Sequence, residues 1–426
     1  MKSYMEYFDE ICKIPHGSFE TDKMKEYLLK HCEKNSFKVS VDEAGNIHAF
    51  KGNPRICLQS HYDMVCVGDA PNIQTFEKDG FLMAKNSSLG ADNGIGVAIM
   101  MSMMDKYDNF EVVFTNNEEV GLWGVARFNG VIKSPNLLNL DSEEDDKVSI
   151  GCAGSVDMYA FRNLEKIDCN GFLYELKIDD NDKFPGGHSG IQIHENIPNA
   201  IKFMARFIKE NGGKIAYFNG GERRNSIAAK VDAKVIFFKE LKEIPNFIKA
   251  DFIGKKESKI YKFSDELLNM LCIFSQGVRA FNTEVNTPED SINLSTAKEV
   301  DNKFEVLFFA RSMSAKGLEN SKFETLTLAK SFNFDTKTEN QTTPWKPEIN
   351  EFAKFILKNM QKYNKKAKFV AVHAGLECGV FLAKQSDLKV ASIGPNIFAP
   401  HSINEKLEVK SADLIYKVVD EIVKNA

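Results

Sequence analysis

Four short segments carry residues that can bind metal and move protons. The apolar run Ile56-Cys57-Leu58-Gln59-Ser60 ends in His61-Tyr62-Asp63. Val112-Val113-Phe114-Thr115 is followed by Asn116-Asn117-Glu118-Glu119, and Leu137-Leu138-Asn139-Leu140 by Asp141. Between the first two lies the glycine-flanked Gly90-Ala91-Asp92-Asn93-Gly94. Short apolar runs read as buried strands, and each of these delivers a His or an acid just past its end. In a parallel α/β sheet such positions converge on one crevice at the carboxyl edge. Imidazole and carboxylates together suit two zinc-like ions, and a pair of ions suits hydrolysis.

The spacing also predicts roles. Asp63, two residues past His61, is placed to accept the ring N–H that faces away from an ion, which fixes the tautomer and raises ligand basicity. The small neighbours of Asp92 let backbone and metal approach closely, and its two oxygens can bridge two cations. Glu118 and Glu119 are adjacent, so in extended backbone they point apart, one toward metal and the other toward water. Two dications set against Asp92, Glu119 and Asp141 leave one positive charge, which a bridging hydroxide neutralises. Zinc lowers the pKa of bound water to about 7. Glu118 then takes the proton and passes it to the leaving amine, while ions roughly 3.5–4 Å apart hold the nucleophile and polarise the carbonyl. Taken singly, each residue is as easily a polar loop start or a solvated acid, and Glu143-Glu144-Asp145-Asp146 reads as an acidic surface loop. The recurrence of the right types at successive strand ends is what lifts the set.

The elements that must position these residues follow from periodicity. Residues 4–34 read as two amphipathic helices broken near Pro15-His16-Gly17, and Lys38 to Lys51 as a hairpin about Ala44-Gly45-Asn46. A helix is expected from about Gly94 to Met104. Strands alternating with helices indicate a mostly parallel sheet covered on both faces. After about Gly151 the pattern changes. Phe172–Ile178 alternates like a half-exposed strand, and helices near 200–210, 263–274 and 320–332 are interleaved with strands near 214–218, 227–238, 291–294 and 304–309. That succession predicts an antiparallel α+β domain inserted into the first, with two similar halves but no convincing sequence repeat. The α/β pattern returns near Trp345, after a polar stretch, 336–347, read as linker and hinge. The expected fold class is therefore α/β with an inserted α+β lid domain: residues 1–171 and 344–426 form the catalytic domain and 172–343 the lid.

Composition narrows the setting. A chain of 426 residues predicts two domains. Its net charge is −5 with both signs interspersed, so no basic footprint points to nucleic acid. No stretch approaches a membrane span, and the N-terminus lacks a secretory signal. Eight scattered cysteines without a C-x-x-C pair read as free thiols in a reducing cytosol, so the expected location is cytoplasmic. Only eight arginines stand against 47 lysines, which draws attention to Arg223, Arg224 and Arg311, because a guanidinium can grip a carboxylate with two parallel hydrogen bonds.

The motifs His61-x-Asp63, Gly90-Ala91-Asp92-Asn93-Gly94, Asn117-Glu118-Glu119-Val120-Gly121 and Asn139-Leu140-Asp141 resemble those of the dinuclear zinc dipeptidase and deacylase family. Gly186-Gly187-His188-Ser189-Gly190, Arg224-Asn225-Ser226-Ile227, His373-Ala374-Gly375-Leu376-Glu377-Cys378-Gly379 and Ile393-Gly394-Pro395-Asn396 with Pro400-His401-Ser402 resemble the bacterial aminoacyl-histidine (Xaa-His) dipeptidases, in the carnosinase-type branch. The resemblance runs in order over nearly the whole chain and implies a zinc-exopeptidase-like fold. It implies two Zn2+ per subunit, with Co2+ or Mn2+ as substitutes. One ion would be held by His61, Asp92 and Asp141, the other by Asp92, Glu119 and His401. By the same resemblance Asp63 orients His61, Glu118 is the general base, and His188 on the lid stabilises the oxyanion after closure. Asn225 and Arg311 would contact the substrate, Arg311 through its terminal carboxylate, and Glu377 would bind its amine. A homodimer is a further expectation, with His188 acting within its own subunit or across the pair. His16, His31, His48 and His194 match no motif and read as structural or surface.

The chain departs from the pattern: it is shorter than typical members of the branch, with the shortfall in the lid, and three local differences stand out. Gln192 follows the His188 motif where related chains carry Asp, Ala228 replaces a Pro, and Ile403-Asn404 interrupts the pattern after His401. None touches an expected ligand, so they bear on substrate choice. The function read from the sequence is metal-dependent hydrolysis of unblocked dipeptides, Xaa-His dipeptides among them. Against it stand a deacylase acting on N-acyl amino acids and, in a different class, an inactive metal-binding assembly protein.

Overall fold

The computed structural model describes residues 2–426. The chain divides into two units, Met1–Cys152 with Trp345–Ala426, and Ala153–Pro344.

Among the described residues, the first unit is built on a sheet of eight strands in the spatial order Lys38–Val41, Ile47–Phe50, Glu111–Thr115, Cys57–His61, Asn136–Asn139, Lys389–Ser392, Lys147–Cys152 and Lys368–Val372. The four central strands run parallel. Cys57–His61 and Glu111–Thr115 are buried at every position. Burial on both faces explains why they read as continuous runs rather than alternating ones. His61 stands opposite Thr115 and Gln59 opposite Asn139. The strands therefore end nearly level, and the residues that follow them gather along one edge.

The Ala91–Lys106 helix begins at that edge. It is buried continuously from Asn93 to Met104, as expected of a helix that is apolar all round. Its close approach to the sheet depends on Gly96, where a Cβ would fall 2.3 Å from Ser60 Oγ and 2.9 Å from the Leu140 backbone oxygen.

The second unit is an antiparallel sheet of nine strands among the described residues, packed against the helices Ala200–Glu210, Ser264–Ile273 and Ala315–Ser331. In the first of these, Asn199 caps the backbone N–H groups of Ile201 and Lys202, and Ala200, Ile201, Met204, Ala205, Phe207 and Ile208 form the buried stripe. The core of this unit runs from Val156 to Phe334.

The division falls at Cys152/Ala153 rather than at 171/172. The strand Gly154–Asn163 pairs along its length with Lys303–Ser312 and also with Asp335–Glu339, so its register commits it to the second unit. A strand at Lys249–Tyr261 was not anticipated. It lies at the sheet edge, paired among the described residues with Lys166–Asp179 alone, and its lysines mask the alternation.

Candidate metal centre

His61 ends its strand with Nδ1 turned back into the protein, 3.0 Å from the Asp63 backbone oxygen and 3.5 Å from the Asp63 carboxylate. The backbone carbonyl is thus the nearer partner. The Asp63 carboxylate instead accepts the Ser18 hydroxyl at 2.7 Å and the backbone N–H groups of Glu118 and Glu119 at 2.9 and 3.4 Å. It fixes where both glutamates start, a role the sequence did not show. With Nδ1 held, His61 Nε2 points outward, 3.2 Å from Asp92 and 3.4 Å from Asp141.

Asp92 follows Gly90, whose φ of 72° is left-handed, and the Asp92–Asn93 peptide is cis. The neighbouring Asn93 amide donates to Asp141 at 2.6 Å, so one turn places one acid and braces another. On the open side, His401 Nε2 lies 2.8 Å from Glu119 and 3.1 Å from Asp92. Its side chain is 46% exposed against 1% for His61, which marks the face from which a ligand would enter.

Ligand atoms within 4.8 Å of one another form three groups: His61, Asp92 and Asp141; Asp92, Glu119 and His401; and His61, Glu118 and Glu119. Asp92 belongs to the first two. Glu119 joins Asp92 and His401, whereas Glu118 meets only His61 and Glu119. The donor set fits divalent ions chemically, because it is imidazole and carboxylate with an excess of acid. The electrostatics say the same. Burial pushes the Glu118 carboxyl well up; His61 opposes this, while Glu119, Asp141 and Glu377 add to it. Glu119 and Asp141 are also raised, by burial first, with His401 and His61 respectively opposing and Asp92 adding. Asp92 goes the other way: burial would raise it, but hydrogen bonds from His401 and His61 hold it low. Burial would lower His401, yet Asp92 and Glu119 lift it to about 11. Carboxylates crowded this closely repel, and a cation among them relieves that repulsion.

One acid lies elsewhere than expected. Glu377 is fully buried rather than open to a substrate amine. Gln59 and Thr115 donate to one of its oxygens at 2.5 and 2.7 Å, and Gln59 in turn accepts from Asn139 at 2.7 Å. It anchors a polar ladder through the sheet, and burial pushes its carboxyl up to about 8. Glu143, read as part of a surface loop, does have an exposed side chain, but crowding against the centre and the Asp92 and Asp141 charges raise it to about 8. Glu405 was missed altogether. Its buried carboxylate accepts four consecutive backbone N–H groups, from Leu89 to Asp92. No spacing rule links it to Asp92, 313 positions away.

The second unit arranges its own set. His188 pairs with Ser226. Its Nδ1 accepts N–H groups from Gly190 and Ile191 at 3.2 and 3.1 Å, which leaves the proton on Nε2 and makes that atom a donor. Burial, with the Arg311 charge second, holds His188 down at about 4, so the ring is neutral. Gln192 braces the same residue, its side chain accepting the His188 N–H at 3.0 Å. Asn225 holds the adjoining turn through its carbonyl, which accepts the Ser189 N–H at 2.8 Å. Arg311 is buried with its guanidinium over the Phe309 ring at 4.7 Å. Arg224 stacks on that ring too and pairs with Asp157 at 3.2 Å, while Arg223 is exposed. His16, His31 and His48 are buried.

No protein-family model matches the chain. The cytosol non-specific dipeptidase of Escherichia coli (strain K12) is 27% identical over an alignment covering 98% of this chain and 96% of that protein. The solved aminoacylhistidine dipeptidase of Vibrio alginolyticus superposes with a TM-score of 0.83 at 26% identity, covering 99% and 96%. Human carnosine dipeptidase 1, at 12% identity and a TM-score of 0.53 over 99% and 97%, shares the fold. Fold, metal-ligating groups and these likenesses define an enzyme of the metallopeptidase class. Within that class the chain resembles aminoacylhistidine dipeptidase over its whole length.

Proposed function

We propose that this chain hydrolyses the peptide bond of unblocked dipeptides, including Xaa-His dipeptides, at a centre of two divalent ions, zinc with cobalt or manganese as substitutes. The observation that carries the proposal is the pair of ligand groups sharing Asp92, with Glu118 beside them and outside both. Ions held by His61, Asp92 and Asp141 and by Asp92, Glu119 and His401 would polarise the scissile carbonyl and make water nucleophilic. The chain's own residues do the rest. Glu118 takes the proton of the attacking water and returns it to the leaving amine, and its raised pKa suits both transfers. Asp63 holds the backbone from which Glu118 and Glu119 project. His188, neutral with its proton on Nε2, donates to the developing oxyanion. Asn225 sits in the adjoining turn, and Arg311 supplies positive charge for a substrate carboxylate.

The buried Glu377 does not decide between a free and a blocked amine, so the substrate panel must. Metal-loaded enzyme is given Ala-His, β-Ala-His, Gly-Leu, N-acetyl-Ala-His and N-acetylornithine, with and without chelator. Chelator-sensitive cleavage of the unblocked dipeptides alone is the expected result. Cleavage of the acetylated compounds instead would move the protein to the deacylase reading. The same proposal places the enzyme in the cytoplasm, supported by the name of the Escherichia coli relative. No helix among the described residues is long and apolar enough to cross a membrane.

A further inference from the structure

The Ala91–Lys106 helix, which begins next to Asp92, starts without a cap of its own. Its N-cap position is Gly90, which has no side chain, and the backbone of Asp92 and Asn93 just past it is non-helical, so the N–H groups of this segment need an outside partner. That place is taken by Glu405. One carboxylate oxygen accepts from Leu89 at 2.7 Å and Gly90 at 3.0 Å, the other from Ala91 at 2.9 Å and Asp92 at 3.3 Å. Glu405 is 2% exposed. A charge buried so deeply is costly, and four backbone N–H groups offset part of that cost.

Glu405 also closes the loop that carries His401. That loop is tied internally: Ser402 donates to the Ala399 carbonyl at 2.8 Å, and its own hydroxyl and carbonyl accept from Asn404 and Glu405 at 3.1 and 3.2 Å. Ala399 and His401 both sit at positive φ, 51° and 56°. Non-glycine residues keep that conformation only where their surroundings enforce it. One end of the loop grips the Asp92 backbone, and the other presents His401 Nε2 3.1 Å from the Asp92 carboxylate. The ring of contacts is closed, and Glu405 is the member that no metal would touch.

We infer that Glu405 is a positioning residue that sets the distance between Asp92 and His401, and so the affinity of the ion they share with Glu119. The inference rests on the ligand assignment proposed above. A local Ser, Thr or Asp would cap the helix as well, but none could tie the helix start to the His401 loop.

The test is a zinc titration against a chromophoric competing chelator, for the wild-type chain, Glu405→Gln and Glu405→Asp, with the melting temperature of each metal-free protein. The wild-type chain is expected to bind two ions; one or none would sink the two-ion reading itself, separately from this inference. Glu405→Gln, which turns an amide N–H toward donors, is expected to weaken one ion by about 10–100-fold, the range for groups that orient ligands, with the other nearly unchanged. Glu405→Asp, one methylene short of all four donors, is expected to show a smaller loss at the same ion. A lower melting temperature with both affinities at wild-type values in Glu405→Gln would make Glu405 a helix cap only and overturn the inference. If Glu405→Gln does not fold, wild-type affinity for both ions in Glu405→Asp overturns it equally.

Discussion

Glu118 and Glu119 are neighbours in the chain to which the proposed function gives opposite tasks. Glu119 contacts His401 at 2.8 Å and shares a ligand group with Asp92, whereas Glu118 lies in neither Asp92 group. Glu118→Ala is therefore expected to keep its metal, measured by elemental analysis, while kcat falls about 10²–10⁴-fold as a proton carrier is lost. If it lost the metal instead, the two glutamates would have to exchange roles. His188 carries a second prediction. Its folded-state pKa is about 4, below the usual 6.5. Between those values the unfolded chain binds the extra proton and the folded chain does not. This group's contribution to stability thus rises with pH from about 4 to 6.5 and is flat above. Nitrogen-15 spectra of the histidine rings should show the His188 Nε2–H tautomer persisting at pH 5.5. A protonated ring there would remove both the tautomer assignment and the donor role.

At the scale of elements, the centre depends on how closely one helix meets the strand ends. Gly96 is the point of contact: a methyl there would meet Asn93 Oδ1 at 2.2 Å, Ser60 Oγ at 2.3 Å and the Leu140 carbonyl at 2.9 Å. The hydroxyl can rotate away, but the carbonyl belongs to Leu140, the backbone link between the strand Asn136–Asn139 and Asp141. Gly96→Ala should cost about 1–3 kcal/mol, the usual penalty of overpacking, and should also weaken metal binding through Asn93 and Asp141. Denaturant melts and a zinc titration read the two effects; full stability in the variant would show that the helix can shift without strain. This geometry also explains what could be read in advance. The convergence of His61, Glu118, Glu119 and Asp141 was legible because continuous apolar runs announce buried parallel strands, and each of these residues ends its strand or follows it within a few positions. Glu405 was not, because its partners are backbone N–H groups reached only through tertiary folding. Glu377 was legible as a residue but not in its burial, since Gln59 and Asn139, polar members of apolar strands, gave no sign of the ladder that holds it. Lys249–Tyr261 was lost because an edge strand guarded by lysines carries no apolar alternation.

The molecule as a whole is one domain interrupted by another, and the interruption is sealed on each side. Cys152 and Trp345 exchange two backbone hydrogen bonds, at 2.8 and 2.9 Å, within the first unit. Ser155 and Thr342 form a second pair within the other unit, one bond backbone to backbone and one to a side chain: the Ser155 carbonyl accepts the Thr342 N–H at 2.8 Å, and the Ser155 N–H donates to the Thr342 hydroxyl at 2.8 Å. The cores respect the same division. The cluster built around Val156, Ile201, Phe218 and Phe304 lies wholly inside Ala153–Pro344, and the one around Cys57, Val113, Leu137 and Val390 wholly outside it. All six residues of the ligand groups, with Glu118 among them, belong to the first unit, whereas His188, Asn225 and Arg311 belong to the second. Replacing residues 154–343 by a short Gly-Ser linker should therefore leave a folded protein. Strand partners stand only about 5 Å apart, so few linker residues are needed and the closure entropy is small. That protein should bind zinc with the stoichiometry of the whole chain. It should also lose nearly all dipeptide hydrolysis if His188 is the oxyanion donor and Arg311 the carboxylate-binding charge, as proposed above. A truncated protein that folds but binds no metal would mean that the inserted unit completes the centre. One that still cleaves dipeptides at the full rate would mean that His188 takes no part in the reaction.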